Sequence, residues 1–157
     1  MEQRLSRWGI GPKTLVPSVL YTLAAWAGTR AWPEVFRMRS SSDLIPAAGY
    51  ILTALGVLFW LLGIATVMKA YGEDRLVTSG IFAVVRHPVY AGWITLIFPG
   101  LALVSRSWLM LLTPVVGYLI FKRLVHIEDE YLERRFGQPY RDYRARVNEV
   151  IPIPRFW

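Results

Sequence analysis

The chain has 157 residues, 54% of them hydrophobic, a mean hydropathy of +0.35 and a formal charge of +7. That apolarity exceeds what a soluble domain of this length carries, so the sequence predicts a single membrane-embedded domain over residues 1–157. The absence of cysteine excludes disulfides and thiolate chemistry, and the only two histidines, His87 and His126, fall in no HExxH or HxH arrangement, so no metal site is expected.

The basic residues flank hydrophobic runs and do not form a stripe, which suits membrane lipids with anionic headgroups and argues against nucleic acid as a partner. Residues 1–13 are short and basic, carry Trp8, and are expected to lie on headgroups without a cleavable signal peptide. The first apolar run, Leu15 to Trp32, is long enough for a helix to cross a bilayer, with Pro17 in its first turn. A polar connection, 33–43, follows. The second run, Pro46 to Val67, has no charged residue and repeats Gly49, Gly56 and Gly63 on one face, where another helix can approach closely.

After a charged bend at Lys69 to Arg75 comes LVTSGIFAVVRHPVYAG, residues 76–92. Pro88 fixes its own φ and pushes His87 out of the helical region, so Arg86 and His87 are expected on a turn with a helix starting at the proline. A guanidinium, an imidazole, the Tyr90 phenol and free N–H groups at a helix start suit a small polar ligand; an interfacial loop with ordinary anchors is the alternative reading. A third span, Val89 to Val104, and a fourth, Trp108 to Phe121, form a tight hairpin, with kinks expected at Pro99-Gly100 and at Pro114. Fourteen of the 18 Lys and Arg fall on the side of both termini and the Arg86-His87 turn. The bias places that side in the cytoplasm, with a bacterial inner membrane as the expected location.

Beyond Phe121 the fourth span is expected to continue as a cytosolic helix, 122–136, capped by Gly137, followed by a short helix over 139–147. The tail is expected to be extended, returning Ile151, Ile153, Phe156 and Trp157 to the membrane surface. The predicted fold class is therefore an all-α integral membrane protein with four transmembrane helices and a cytosolic helical extension. Within that extension Phe121, Leu124, Glu128, Leu132 and Arg135 share a mostly apolar stripe. Glu130 is expected to face solvent with His126 and Arg134, while Asp129 is intermediate, beside Val125 and Phe136. An acid on a buried stripe needs a partner. Glu128 is expected to meet Arg135 or Arg86, or a cationic or amine-bearing ligand held between it and the Arg86–Gly92 turn.

LVTSGIFAVVRHPVYAGW resembles the pattern LVTxGxYxxxRHPxYxGW of the isoprenylcysteine carboxyl methyltransferase family, part of a wider group of membrane methyltransferases that includes phospholipid N-methyltransferases. The second half of that signature is matched by Glu128-Asp129, Leu132 and FGQPYRDY, so the resemblance covers roughly residues 70–154. It implies S-adenosyl-L-methionine as cofactor in a cytosol-facing pocket. Leu76 and Val77 would line its adenosyl end, with Phe82 where the family usually has tyrosine. His87, Pro88, Val89 and Tyr90, in the motif that closes on Gly92, would surround the methionine moiety, and Glu128 would meet its amino group. Arg86, Arg123 or Arg135 would orient an anionic acceptor, and Glu128 or Asp129 would take a proton from an amine.

Two departures bear on the acceptor. The family arginine one turn before the glutamate is Leu124 here, with Arg123 turned about 100° away, and the usual Val-Pro near the end is Val147-Asn148. The expected activity is methyl transfer to a lipophilic small molecule or lipid entering sideways from the bilayer. The rival readings are an NADPH-dependent membrane reductase of the sterol-reductase type and a non-enzymatic lipid-surface or assembly protein.

Overall fold

The structure, a computed structural model, describes residues 8–40 and 42–153. Its regular structure there is helical: α1 (Gly11–Ala31), a one-turn α2 (Pro33–Phe36), α3 (Leu44–Gly72), α4 (Pro88–Ser105), α5 (Thr113–Phe136) and α6 (Gln138–Arg146). Short 3-10 turns cover Gly80–Ala83 and Met110–Leu112.

Among the described residues three helices are long and apolar enough to cross a membrane: Leu44–Gly72, Pro88–Ser105 and Met110–Phe136. α1 has the length, 21 residues, but not the apolarity, so the expected fourth span stands apart from the other three. Its hydroxyls turn inward onto their own helix. Ser18 and Thr22 donate to the carbonyls four residues back at 2.7 Å each, and Thr29 does so at 2.8 Å. The helix therefore satisfies these polar groups itself. It begins at Gly11, with Pro12 in the tolerant first turn, so Pro17 lies inside the helix and not in the first turn as the apolar run suggested.

The seven-residue glycine repeat packs as its spacing predicts, against α4. A Cβ on Gly49 would lie 2.7 Å from the Gly100 carbonyl oxygen, one on Gly56 2.8 Å from Leu96 Cβ, and one on Gly63 3.1 Å from Val89 Cγ2. Hydrogen in place of methyl lets the two backbones touch, and that contact fixes α4 along α3. The kink expected at Pro99-Gly100 takes another form. Residues Gly92–Ile97 are π-helical, and Pro99 sits in the first turn of the α-helical stretch that follows. A widened ladder ahead of the proline accommodates its missing N–H without breaking the helix. Pro114 likewise falls in the first turn of α5, where it interrupts nothing.

Arg106 closes the hairpin between α4 and α5 in the left-handed region at φ 48 and donates to the carbonyls of Ser40 at 2.9 Å and Ser42 at 2.8 Å. The connection after α2 is thereby tied to the hairpin. At the other end α5 runs unbroken to Phe136, and Gly137, at φ 62, ends it by returning its N–H to the Glu133 carbonyl, the cap the sequence predicts. α6 folds back so that Tyr140 and Tyr143 pack with Phe82.

The tail does not simply lie on a surface. The carbonyls of Asn148 and Glu149 accept the backbone N–H groups of Arg86 and His87 at 2.7 and 2.9 Å, and Val150 is buried in the core. Ile151 and Ile153 are exposed, while Phe156 and Trp157 lie outside the described residues.

The α3–α4 seam gives a direct stability test. A Cβ on Gly100 would fall 2.8 Å from both the Gly49 oxygen and the Thr53 nitrogen, and neither backbone atom can move aside cheaply. Gly100→Ala is expected to cost about 1–3 kcal/mol. Gly72→Ala, which points into open space, is expected to cost nothing. Thermal unfolding in detergent checks the pair.

Candidate functional site

Pro88 sets the site in place. His87 takes φ −123 and ψ 66, outside the helical region, and α4 starts behind it. The tail carbonyls hold the turn from outside, so Arg86 and His87 are buried, at 4% and 6% exposure. Facing them are two consecutive acids of α5. Asp129 Oδ1 lies 2.9 Å from Arg86 Nη1 and 3.3 Å from His87 Nε2, and Glu128 Oε2 lies 3.3 Å from His87 Nδ1. Glu149 of the tail approaches Arg86 Nη2 at 3.5 Å and is itself held by Lys122 at 2.7 Å. The Tyr140 hydroxyl donates to Asp129 Oδ1 and accepts from Arg86 Nη1 at 3.2 Å.

Each ring nitrogen of His87 faces a carboxylate oxygen, so each is placed to donate, a demand that only the imidazolium meets. Burial works against that charge. The hydrogen bonds to Asp129 and Glu128 and the charges of both acids outweigh it and raise His87 above its ordinary value of 6.5. Burial, and then the hydrogen bond to Asp129, keep the Tyr140 phenol protonated well above the usual phenol range.

Glu128 Oε1 accepts from the Tyr90 hydroxyl at 2.6 Å and from the Ile10 backbone N–H at 2.8 Å. A wall of rings backs the charges. Phe121 meets the His87 ring edge-on at 5.5 Å and Tyr90 at 5.2 Å, and Tyr90 meets Trp93 at 5.8 Å.

A cavity of about 460 Å³ opens beside this cluster. Leu15 of α1, Trp60, Ile64 and Val67 of α3 and Leu132 of α5 give it an apolar wall, and Glu128 and His87 a charged one. At its exposed edge Arg135 Nε donates to Asp74 at 2.6 Å.

Of the residues expected at a site, Leu76, Val77, Phe82, Arg86, His87, Pro88, Val89, Tyr90 and Glu128 all line this cavity. Gly92 and Arg123 do not. Gly92 faces α3, where a Cβ would lie 3.2 Å from the Gly56 oxygen, so it serves helix packing; Arg123 is exposed. Glu128 pairs with neither Arg86 nor Arg135, because Arg86 goes to Asp129 and Arg135 to Asp74. Nor is there a gap between Glu128 and His87: they touch, and the void lies alongside them.

Sequence reasoning understated Asp129, Tyr140, Glu149 and Ile10. The buried row of α5 is Thr113, Gly117, Phe121, Val125 and Asp129, every fourth residue, which lies one step around the helix from the stripe through Glu128. The pairing of Asp129 with Val125 was the available signal. The backbone N–H of Ile10 leaves no trace in sequence.

These features define an all-helical protein of membrane type with a cavity of small-molecule size against a buried charged cluster. A profile described as phospholipid methyltransferase matches residues 46–139, more than half of the chain, and the chain belongs to that family. It is 36% identical over 85 residues to a protein-S-isoprenylcysteine O-methyltransferase of Schizosaccharomyces pombe, covering 54% of this chain and 36% of that one. It is 32% identical over 81 residues to one of Tribolium castaneum, covering 52% of this chain and 29% of that one. A Rattus norvegicus protein of the same name is 28% identical over 138 residues, covering 78% of this chain and 45% of that one. The chain thus spans less than half the length of each of these three relatives, all eukaryotic, and they lend no support to a bacterial inner membrane. No solved structure matches.

Two measurements test the cluster. Asp129→Asn removes the carboxylate that neutralises buried Arg86 and His87 and is expected to cost about 3–5 kcal/mol of stability. Because the folded protein raises His87, the stability contributed by its proton is complete below pH 6.5 and is lost as the pH climbs through the raised value. Thermal unfolding across that range should show a fall on the alkaline side that His87→Gln flattens.

Proposed function

We propose that the chain transfers a methyl group from S-adenosyl-L-methionine to a lipophilic small molecule or lipid that reaches the cavity from the bilayer. On this reading α1 is a fourth span beside the three more apolar helices, and the Arg86-His87 turn and the extension of α5 lie on the cytosolic side. The observation that carries the reading is the position of Glu128, a carboxylate on the wall of a cavity that is otherwise mainly apolar and aromatic. Membership of a methyltransferase family and relatives named as O-methyltransferases of an isoprenylated cysteine support it.

The residues present fit the cofactor. The cavity volume falls within the roughly 300–1,000 Å³ of small-molecule sites. A carboxylate offers about four acceptor positions, and Glu128 uses three, on Ile10, Tyr90 and His87, which leaves one for an ammonium group. Tyr90, Trp93 and Phe82 are aromatic residues of the cavity lining, a residue type suited to a cationic centre. Leu76 and Val77 supply an apolar wall for the adenosyl end, and Pro88 and Val89 continue it toward the turn. Bound there, S-adenosylmethionine supplies a methyl carbon already activated by its sulfonium.

The chain's own part is alignment and dryness. Glu128 holds the donor, His87 and Tyr90 hold Glu128, and Asp129 holds His87 and Arg86. Positioning of this kind supplies up to ~7–11 kcal/mol, and no nucleophile on the protein is required. Val16 of α1 and Ile64, Val67 and Met68 of α3 line the flank where an apolar acceptor chain lies, and Arg135 and Arg75 stand at the exposed edge to orient an anionic head. Arg123, off the cavity wall, has no part in this arrangement.

Calorimetry with S-adenosylhomocysteine, together with radiolabelled methyl transfer to a total lipid extract, tests the reading. Wild type is expected to bind S-adenosylhomocysteine and label lipid. Glu128→Gln is expected to bind roughly ten- to a hundredfold more weakly, the value of one charged hydrogen bond. Binding of NADPH and not of S-adenosylhomocysteine would contradict it, as would equal binding by both proteins.

A further inference from the structure

The stretch ahead of α1 lies outside the matched segment 46–139, yet it enters the site. A basic lead-in resting on headgroups, as the sequence suggests, would keep its backbone in water. Instead Ile10 is 2% exposed within the core formed by Val85, Tyr90 and Phe121, and Trp8, Gly9, Gly11 and Pro12 all line the cavity. The Ile10 N–H, which an ordinary helix start leaves without an intrahelical acceptor, is spent on Glu128 Oε1 at 2.8 Å.

Gly9 makes that approach possible in two ways. Its φ of +53 is in the left-handed region, and a Cβ there would lie 1.8 Å from Glu128 Oε1. The space a methyl group would take is occupied by the carboxylate.

We infer that the Gly9-Ile10 turn is a positioning element for Glu128, clamping one carboxylate oxygen so that the other presents its remaining acceptor position to the cavity. The inference rests on the proposed function, since it concerns how the donor's ammonium group is met. The clamp is shared. Tyr90 reaches the same oxygen from α4 at 2.6 Å, and His87 takes the other oxygen at 3.3 Å, so the acid is fixed from three separate segments. Because the atom in the way is the tip of a flexible side chain and not backbone, a methyl group on Gly9 displaces the carboxylate and leaves the helices in place.

Substitution at Gly9 tests this in the full chain, purified in detergent. Gly137 also has a positive φ, +62, with nothing within 4 Å of a Cβ, so Gly137→Ala carries positive-φ strain without the collision. Calorimetry with S-adenosylhomocysteine is expected to show at least a tenfold weaker Kd for Gly9→Ala and a Kd within twofold of wild type for Gly137→Ala. In turnover, Gly9→Ala is expected to raise KM for S-adenosylmethionine more than it lowers kcat. Gly9→Asn accepts a positive φ more readily than alanine and carries the same Cβ, so it serves in place of Gly9→Ala if that protein does not fold, with the same expected loss. Wild-type affinity in the Gly9 variant that folds, or an equal loss in Gly137→Ala, overturns the inference and leaves the proposed function standing. A wild type that binds no S-adenosylhomocysteine overturns both.

Discussion

One histidine held between two consecutive carboxylates is the interaction on which the rest depends. His87 touches Asp129 through Nε2 and Glu128 through Nδ1, each at 3.3 Å, while Arg86 beside it takes the same Asp129 oxygen at 2.9 Å. Burying any one of these charges alone would cost several kcal/mol, and buried charges persist only when each has a partner of good geometry. Here the cations arrive together on a turn and the acids together on a helix, so a single docking event satisfies all four. The cluster therefore specifies how the turn before α4 and the far end of α5 must meet.

The remainder of the fold delivers those two segments to each other. Glycines on α3 and α4 bring the two backbones into contact and set the axis along which Pro88 begins its helix. The π-helical stretch over Gly92–Ile97 carries that helix through Pro99. The tail then returns to accept the backbone N–H groups of Arg86 and His87, bonds that a turn ahead of a proline does not find locally. With its backbone satisfied from behind and its charges in front, the turn leaves one face open to the cavity. On that face a carboxylate stands among rings and aliphatic side chains, an arrangement suited to a cationic small molecule with an apolar body.

Much of this was legible in the sequence because the signals were local. Pro88 fixed the turn, the spacing of Gly49, Gly56 and Gly63 fixed a contact face, and Gly137 fixed the end of α5. What was not legible depended on small angles or on distant backbone. Taking the buried row as running through Glu128 in place of Asp129 is an error of one residue, and on a helix that turns the face by about 100°. That reading offers Arg86 as a partner to Glu128, whereas Asp129 holds it. The Ile10 N–H, the tail carbonyls and the pairing of Arg135 with Asp74 join residues far apart in the chain, and no periodicity announces them. Gly92, read as part of the site because it ends a motif, packs on α3: a motif records which residues occur together and not which face each one serves.

The protonation state of His87 tests the account most directly. In a His126→Gln background the remaining imidazole can be followed by nitrogen-15 NMR of the folded protein in micelles. Both ring nitrogens should carry protons at neutral pH and keep them above the ordinary histidine range, as the two flanking carboxylates require. A neutral ring with one bare nitrogen at pH 7 would contradict the cluster and the arrangement of Glu128 built upon it.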